Sequence, residues 1–203
     1  MLSVAEYVAK AFAEGPPRPG IILGIRMSVL AMKLLEVDDP VKYHRKLIVV
    51  VETDRCLPDV VELVIGCRLG NRTLKFRDWG KMAASFLDLT HNRAIRIAAW
   101  ESVEPEALQS FRGLPRDGAL SKAYVDFADE KLFKWQQAVL KFSPEDLPGY
   151  RAKRVLCEQC GEGIGFRREV RKDGHTLCRA CAGDSYWLPY GEGILHIEIC
   201  RAR

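Results

Sequence analysis

The sequence predicts an α+β fold: an antiparallel or mixed sheet packed around a central helix, followed by a small cysteine-rich module. Three observations predict it. An apolar stretch from Ile21 to Leu35 has helical spacing, β-branched runs separated by turn signals follow it, and four of the seven cysteines form two Cys-x-x-Cys pairs near the C-terminus. A chain of 203 residues with 48% hydrophobic and 29% charged residues can build one good core and a small satellite.

Ser3-Val4-Ala5-Glu6 has the form of a capping box, and Val4, Tyr7, Val8, Ala11 and Phe12 fall on one face of the helix it opens. Gly15-Pro16-Pro17 stops that helix, and Arg18-Pro19-Gly20 leads into the next. In the second helix Ile21, Ile22, Ile25, Val29, Met32 and Leu35 point inward, and the segment is apolar around much of its girth, so it is the buried central helix. Its start, behind a tight Pro-Gly turn, is a natural place for an anion or a substrate group. Leu47 to Val51 reads as a buried strand whose end carries Glu52, Thr53 and Asp54. Pro58 suits the first turn of a short helix that reaches Gly66 and lays Val60, Val61, Val64 and Ile65 on the sheet.

Three further strands are expected from Thr73 to Trp79, Ala83 to Leu89 and Ala94 to Trp100, the last two joined at His91-Asn92-Arg93. A connector, irregular or helical, follows from Glu101 to Gly118. An amphipathic helix is then predicted from Asp129 to Lys141, bearing Leu132, Phe133, Trp135, Gln136, Val139 and Leu140. Pro144, Pro148 and Gly149 mark the boundary between a core domain, residues 1–146, and the terminal module, residues 150–203.

In that module Cys157, Cys160, Cys178 and Cys181 form two knuckles separated by seventeen residues, a spacing that suits one tetrahedral structural zinc ion. Gly161 and Gly183 follow the knuckles, where the chain needs positive φ. A strand is expected from Ile164 to Arg171, and Asp173-Gly174 is a type I′ hairpin turn returning through His175 and Leu177, so the module is a zinc ribbon or treble clef. Two disulfides would require a secreted context, and a thioredoxin-type pair does not come doubled. His175 could replace a thiolate, but four cysteines already suffice.

Formal charge is +4, and residues 151–203 carry ten Lys and Arg against seven Asp and Glu, so most of the excess lies in the module. Arg167, Arg168, Arg171 and Lys172 could touch phosphates, which keeps nucleic-acid binding as an alternative function, although a nucleic-acid module usually shows a denser basic stripe. Arg26 and Lys33 break the longest apolar run, so no membrane span is expected. Met1-Leu2-Ser3 followed by Glu6 and Lys10 shows neither the n-region nor the cleavage site of a signal peptide, which predicts a cytoplasmic protein. Walker, dinucleotide-fingerprint, His-Glu-x-x-His and nucleophile-elbow motifs are missing, which disfavours ordinary nucleotide-dependent or hydrolytic enzymes.

The run Glu52-Thr53-Asp54-Arg55-Cys56, then Asp59 to Ile65-Gly66-Cys67, Gly70-Asn71 and Leu74-Lys75-Phe76-Arg77-Asp78-Trp79-Gly80-Lys81 resembles the FmdE-like family, which takes its name from formylmethanofuran dehydrogenase. The similarity continues more loosely through Lys131-Leu132-Phe133 into the zinc knuckles, covering about residues 15 to 185. Members of that family typically open the central helix with His-x-His-x-Cys-Pro-Gly. Here the stretch is Glu14-Gly15-Pro16-Pro17-Arg18-Pro19-Gly20, so Pro-Gly survives while both histidines and the cysteine are gone. The family is not the molybdenum- or tungsten-bearing catalytic component of that dehydrogenase, so the resemblance implies an operon association and an accessory, regulatory or interaction role more than a reaction.

Cys56 and Cys67 are expected to meet near the start of the central helix, where Arg18, Asp54 and Lys81 would complete a polar pocket. A thiolate made acidic by Arg18 and Lys81 would be a nucleophile or redox centre, the enzyme alternative. Read structurally, both cysteines are small buried hydrophobes beside a tight turn. His44, His91 and His196 show no carboxylate partner and read as structural. Tyr186, Trp187 and Tyr190 form an aromatic cluster after the module, too large for its small core to cover, which predicts a homodimer whose terminal modules pack on or exchange with the partner chain. The same cluster could dock another protein partner.

Overall fold

The computed structural model describes residues 1–12, 18–43 and 45–187, which fall into two compact units, Met1–Gly149 and Tyr150–Arg203. Glu14, Gly15, Pro16, Pro17, His44, Tyr190, His196 and Cys200 lie outside the described residues.

The capping box opens α1 (Val4–Ala11): the Glu6 amide donates to Ser3 Oγ at 3.2 Å and the Ser3 amide to the Glu6 carboxylate at 2.7 Å. In α2 (Pro19–Leu34), Ile22, Leu23, Ile25, Met27, Leu30, Ala31 and Met32 are all buried, so the helix has almost no solvent face. Ile21 and Val29, read as inward, pack half-buried against the same core. β1 (Leu47–Val51) leads into α3 (Leu57–Ile65), which Gly66 ends in a left-handed cap at φ +78. α3 lies close on α2 because α2 offers glycines to it. A Cβ at Gly24 would meet the Val60 side chain at 3.3 Å, tighter than ordinary contact.

Next come β2 (Leu74–Phe76), β3 (Ala83–Asp88), β4 (Arg93–Ala99), α4 (Val103–Ser110), α5 (Arg116–Asp126), a single turn α6 (Asp129–Leu132) and β5 (Phe133–Gln137). They complete a mixed sheet in the order β2-β1-β3-β4-β5, parallel only between β1 and β2. The helix expected from Asp129 to Lys141 is therefore wrong beyond its first turn. Phe133 is extended at φ −133, ψ 152, and Phe133, Lys134, Trp135, Gln136 and Gln137 pair with Ala99 back to Ile95. Alternation places Phe133 and Trp135 on one face beside Ala99 and Ile97, and satisfying the backbone edge of β4 outweighs a short helical pattern. β2 is also shorter than the predicted run from Thr73.

Arg26, which interrupts the apolar run of α2, is only 12% exposed because it packs on the α5–α6 junction. Its guanidinium donates to the carbonyls of Tyr124 at 2.9 Å, Val125 at 3.0 Å and Phe127 at 2.9 Å, and to Asp129 Oδ1 at 2.6 Å. These are the orphan carbonyls at the end of α5, so a charged side chain takes the role of a C-cap.

The described residues of the second unit form two small hairpins, β6 (Val155–Leu156) with β7 (Gly163–Ile164), and β8 (Val170–Lys172) with β9 (His175–Leu177). The strand expected from Ile164 to Arg171 is broken, because Phe166 and Arg167 both take positive φ, at 58 and 54. Asp173 at φ 51 and Gly174 at φ 82 make the I′ turn. No described helix is long and apolar enough to cross a membrane.

Candidate metal centre and the core thiols

Each knuckle is a tight turn fixed by its own backbone. The Gly161 amide returns to the Cys157 carbonyl and the Cys157 amide donates to the Glu162 carbonyl, both at 2.9 Å, with Gly161 at φ 76. In the second knuckle the Ala182 amide returns to the Cys178 carbonyl at 2.9 Å, and Gly183 follows at φ 106. Together they bring the Sγ atoms of Cys157, Cys160, Cys178 and Cys181 within 4.8 Å of one another, and Cys160 to Cys178 measures 3.9 Å. Tetrahedral Zn–S bonds of about 2.3 Å put sulfurs about 3.8 Å apart, so the spacing fits a shared ion and is far too long for a disulfide. These four are free thiols, as are Cys56 and Cys67.

Amide donors surround the sulfurs. The Cys178 amide points to Cys157 Sγ at 3.3 Å and the Cys181 amide to Cys178 Sγ at 3.4 Å. Backbone N–H groups of Cys160 and Cys178 hold the Cys157 thiol below its ordinary value. Cys181 is held high by its sulfur neighbours, chiefly Cys178, and a cation is what allows all four to ionise together.

The imidazole of His175 does not join this set. Its Nδ1 lies 2.8 Å from Glu158 Oε2, while the Thr176 amide donates to Glu158 Oε1 at 3.0 Å, so Glu158 ties the first knuckle to the second hairpin. Those hydrogen bonds, from His175 first, bring the Glu158 carboxyl down to about 2. His91, read without a carboxylate partner, has one: Nδ1 lies 2.6 Å from Asp88 Oδ2 in the β3–β4 turn.

The core residues are only partly brought together. Cys56 is the N-cap of α3, and its sulfur lies 3.2 Å from where a Cβ of Gly20 would stand, so thiol, α2 start and Arg18 share one end of the unit. Asp54 and Lys81 share it too, since the Trp79 and Lys81 amides both donate to the Glu52 carbonyl at the end of β1. Both side chains are exposed, and the Lys81 ammonium sits 5.7 Å from the Trp79 ring centroid. Cys67 is at the other end of α3, about 14 Å away along a helix of that length. It is buried, its thiol donates to the Leu47 carbonyl at 3.6 Å, and burial pushes it up to about 11. The expected Cys56–Cys67 pair is not formed.

Cys56 holds φ 49, ψ −48, a conformation that costs a residue with a side chain about 1–3 kcal/mol, and it caps α3 without a side-chain hydrogen bond. Sequence reasoning missed the buried Glu52, whose carboxylate takes Arg96 Nε and Nη2 at 2.7 Å each. Its partner is forty-four positions away, and only the strand register reveals it.

Fold and site define a two-unit protein: an α+β core around a buried helix, and a C-terminal four-cysteine zinc finger. Residues 15–148 match the family described as FmdE, molybdenum formylmethanofuran dehydrogenase operon, and the chain belongs to that family. Residues 150–186 match the prokaryotic dksA/traR C4-type zinc finger. Among solved structures, an FmdE-like protein of the tungsten formylmethanofuran dehydrogenase type from Syntrophus aciditrophicus superposes with a TM-score of 0.60 at 26% identity, over 92% of this chain and 96% of that one. A curated protein of Archaeoglobus fulgidus, named a probable S-adenosyl-L-methionine-binding protein, is 32% identical over 210 residues. The match takes in 94% of this chain but 55% of that protein, so this chain spans about half the length of that relative.

Proposed function

We propose that the protein is a cytoplasmic accessory or regulatory factor associated with a formylmethanofuran dehydrogenase, with one structural zinc per chain. The observation that supports this is the closed metal set: four thiols fill a tetrahedral site with no position left for substrate, whereas a catalytic zinc keeps one open. The core unit supplies no second set among the described residues, since Cys56 and Cys67 are separated by the length of α3. Thiol chemistry in the core would rest on Cys56 alone. Tyr186 is 99% exposed and Trp187 51%, which supports the homodimer and exchange of terminal modules as the way this surface is covered. Elemental analysis together with light scattering and co-purification with the dehydrogenase tests the proposal. One zinc per chain, a dimer and capture of the enzyme are expected; a monomer that captures no part of the dehydrogenase overturns it.

A second reading follows from the A. fulgidus relative, in which a counterpart of this chain is joined to almost as much additional sequence under the name of an S-adenosyl-L-methionine-binding protein. On that reading the chain works beside an S-adenosyl-L-methionine-dependent activity. Calorimetric titration with S-adenosyl-L-methionine tests this: saturable binding places the ligand on this chain, and no heat counts against the reading.

A further inference from the structure

A cavity of about 580 Å³ opens in the core unit at the Cys67 end of α3, away from Cys56. That volume is within the range of about 300–1,000 Å³ typical of small-molecule sites. Its floor is apolar and buried, built from Tyr7, Leu47, Val64 and Ile65, and Leu2 and Val41 stand exposed around it.

Four charged side chains line it, two of each sign, and they are not equivalent. The acids are already engaged: Asp39 accepts the Val41 amide at 3.1 Å and lies 3.8 Å from Lys42, and Glu62 is paired with Arg68 at 2.9 Å. Lys10 and Arg45 have no ion pair or side-chain hydrogen bond among the described residues, and both are exposed. The last turn of α3 lines the inner wall, and its Val64 carbonyl takes the Tyr7 hydroxyl at 3.4 Å. The negative helix end opposes an anion inside, while two uncommitted cations favour one outside.

We propose that this cavity binds an amphipathic carboxylate, its apolar tail on Tyr7, Leu47, Val64 and Ile65 and its carboxylate held by Lys10 and Arg45. The proposal goes beyond the accessory role and does not depend on it. Each methylene that reaches the apolar floor should tighten binding by up to about fourfold.

The test is calorimetry on the full zinc-loaded chain with hexanoate, octanoate and decanoate, against decanamide and decylammonium. Saturable one-to-one binding that strengthens with chain length is expected, with decanoate at least tenfold tighter than either decyl control. The exposed double variant Lys10→Glu, Arg45→Glu should weaken decanoate at least tenfold and strengthen decylammonium, with the urea midpoint of the protein unchanged. No saturable heat at millimolar decanoate overturns the proposal. So does equal binding of the three decyl compounds, or a double variant that folds and binds decanoate as before.

Discussion

Replacing Arg26 by methionine tests whether a side chain from the buried helix holds the α5–α6 junction. Methionine keeps much of the stem that packs in the core but removes every guanidinium hydrogen bond to Tyr124, Val125, Phe127 and Asp129. The bond to Val125 is exposed, so that carbonyl recovers water at little cost. The bonds to Tyr124, Phe127 and Asp129 are partly buried, and Asp129, at 28% exposure, loses its counter-charge. Hydrogen bonds to charged groups contribute about 1.5–3 kcal/mol each, and rehydration returns part of that, so R26M should cost about 3 kcal/mol. Lysine reaches one or two of the acceptors as a point charge, so R26K should cost about 2 kcal/mol. D129N leaves the three carbonyl caps in place and should cost about 1 kcal/mol. Urea unfolding of the zinc-loaded protein, followed by far-ultraviolet circular dichroism, gives the three values at constant slope. An R26M cost under about 1 kcal/mol, or R26K indistinguishable from the parent, would show that the carbonyls are satisfied without the guanidinium fork.

Chelation, or Cys157→Ser, should release the metal and unfold the two terminal hairpins while the core helices keep their circular dichroism, because structural zinc supplies about 10–16 kcal/mol of apparent binding energy at neutral pH; simultaneous loss of both units would contradict separate cores. Cys67, buried and raised to about 11, should react with iodoacetamide only on unfolding, whereas half-buried Cys56 should label first, as peptide mass spectrometry will read. Gly174→Val places a β-branched residue at φ 82 and should weaken metal retention in a chelator competition by at least tenfold; an unchanged half-life would mean that the hairpin does not position the second knuckle. Burial raises the Asp88 carboxyl, but hydrogen bonds from His91 and the Thr90 amide outweigh it and leave it below its usual 3.8. A lowered folded value stabilises the fold above the unfolded pKa and loses that contribution as pH falls through the folded one. The stability gap between D88N and the parent should therefore be widest near neutrality and close below about pH 4; a gap that widens on acidification would reverse the assignment.

Where one residue type or one turn decides the geometry, the chain could be read directly. Ser3 with Glu6, the Gly66 cap, Asp173-Gly174 and the cysteine knuckles each solve a local backbone problem, and the structure has them as expected. Residues from Phe133 to Gln137 could not be read that way, because five residues carrying Phe133, Trp135 and Gln136 fit helical and alternating patterns equally, and the free edge of β4 made the choice. The pairing of Cys56 with Cys67 could not be read for a similar reason. Cys56 and Cys67 bracket a helix, so their closeness depended on which way that helix ran between two strand ends, and a sequence does not state that. Arg26 read as a defect in an apolar run because its acceptors lie about a hundred positions downstream.

The near-complete burial of α2 also bears on how the chain is made. Its residues leave the ribosome early, yet β5, the last strand of the core sheet, ends at Gln137, about a hundred residues later. At synthesis rates of about 5–20 residues per second, the helix waits about 5–20 seconds with Ile22, Ile25, Met27 and Met32 uncovered by the finished sheet. An amphipathic helix could turn its polar side to water during that interval, but α2 has none to turn. The nascent core unit is therefore a natural client for a holdase chaperone.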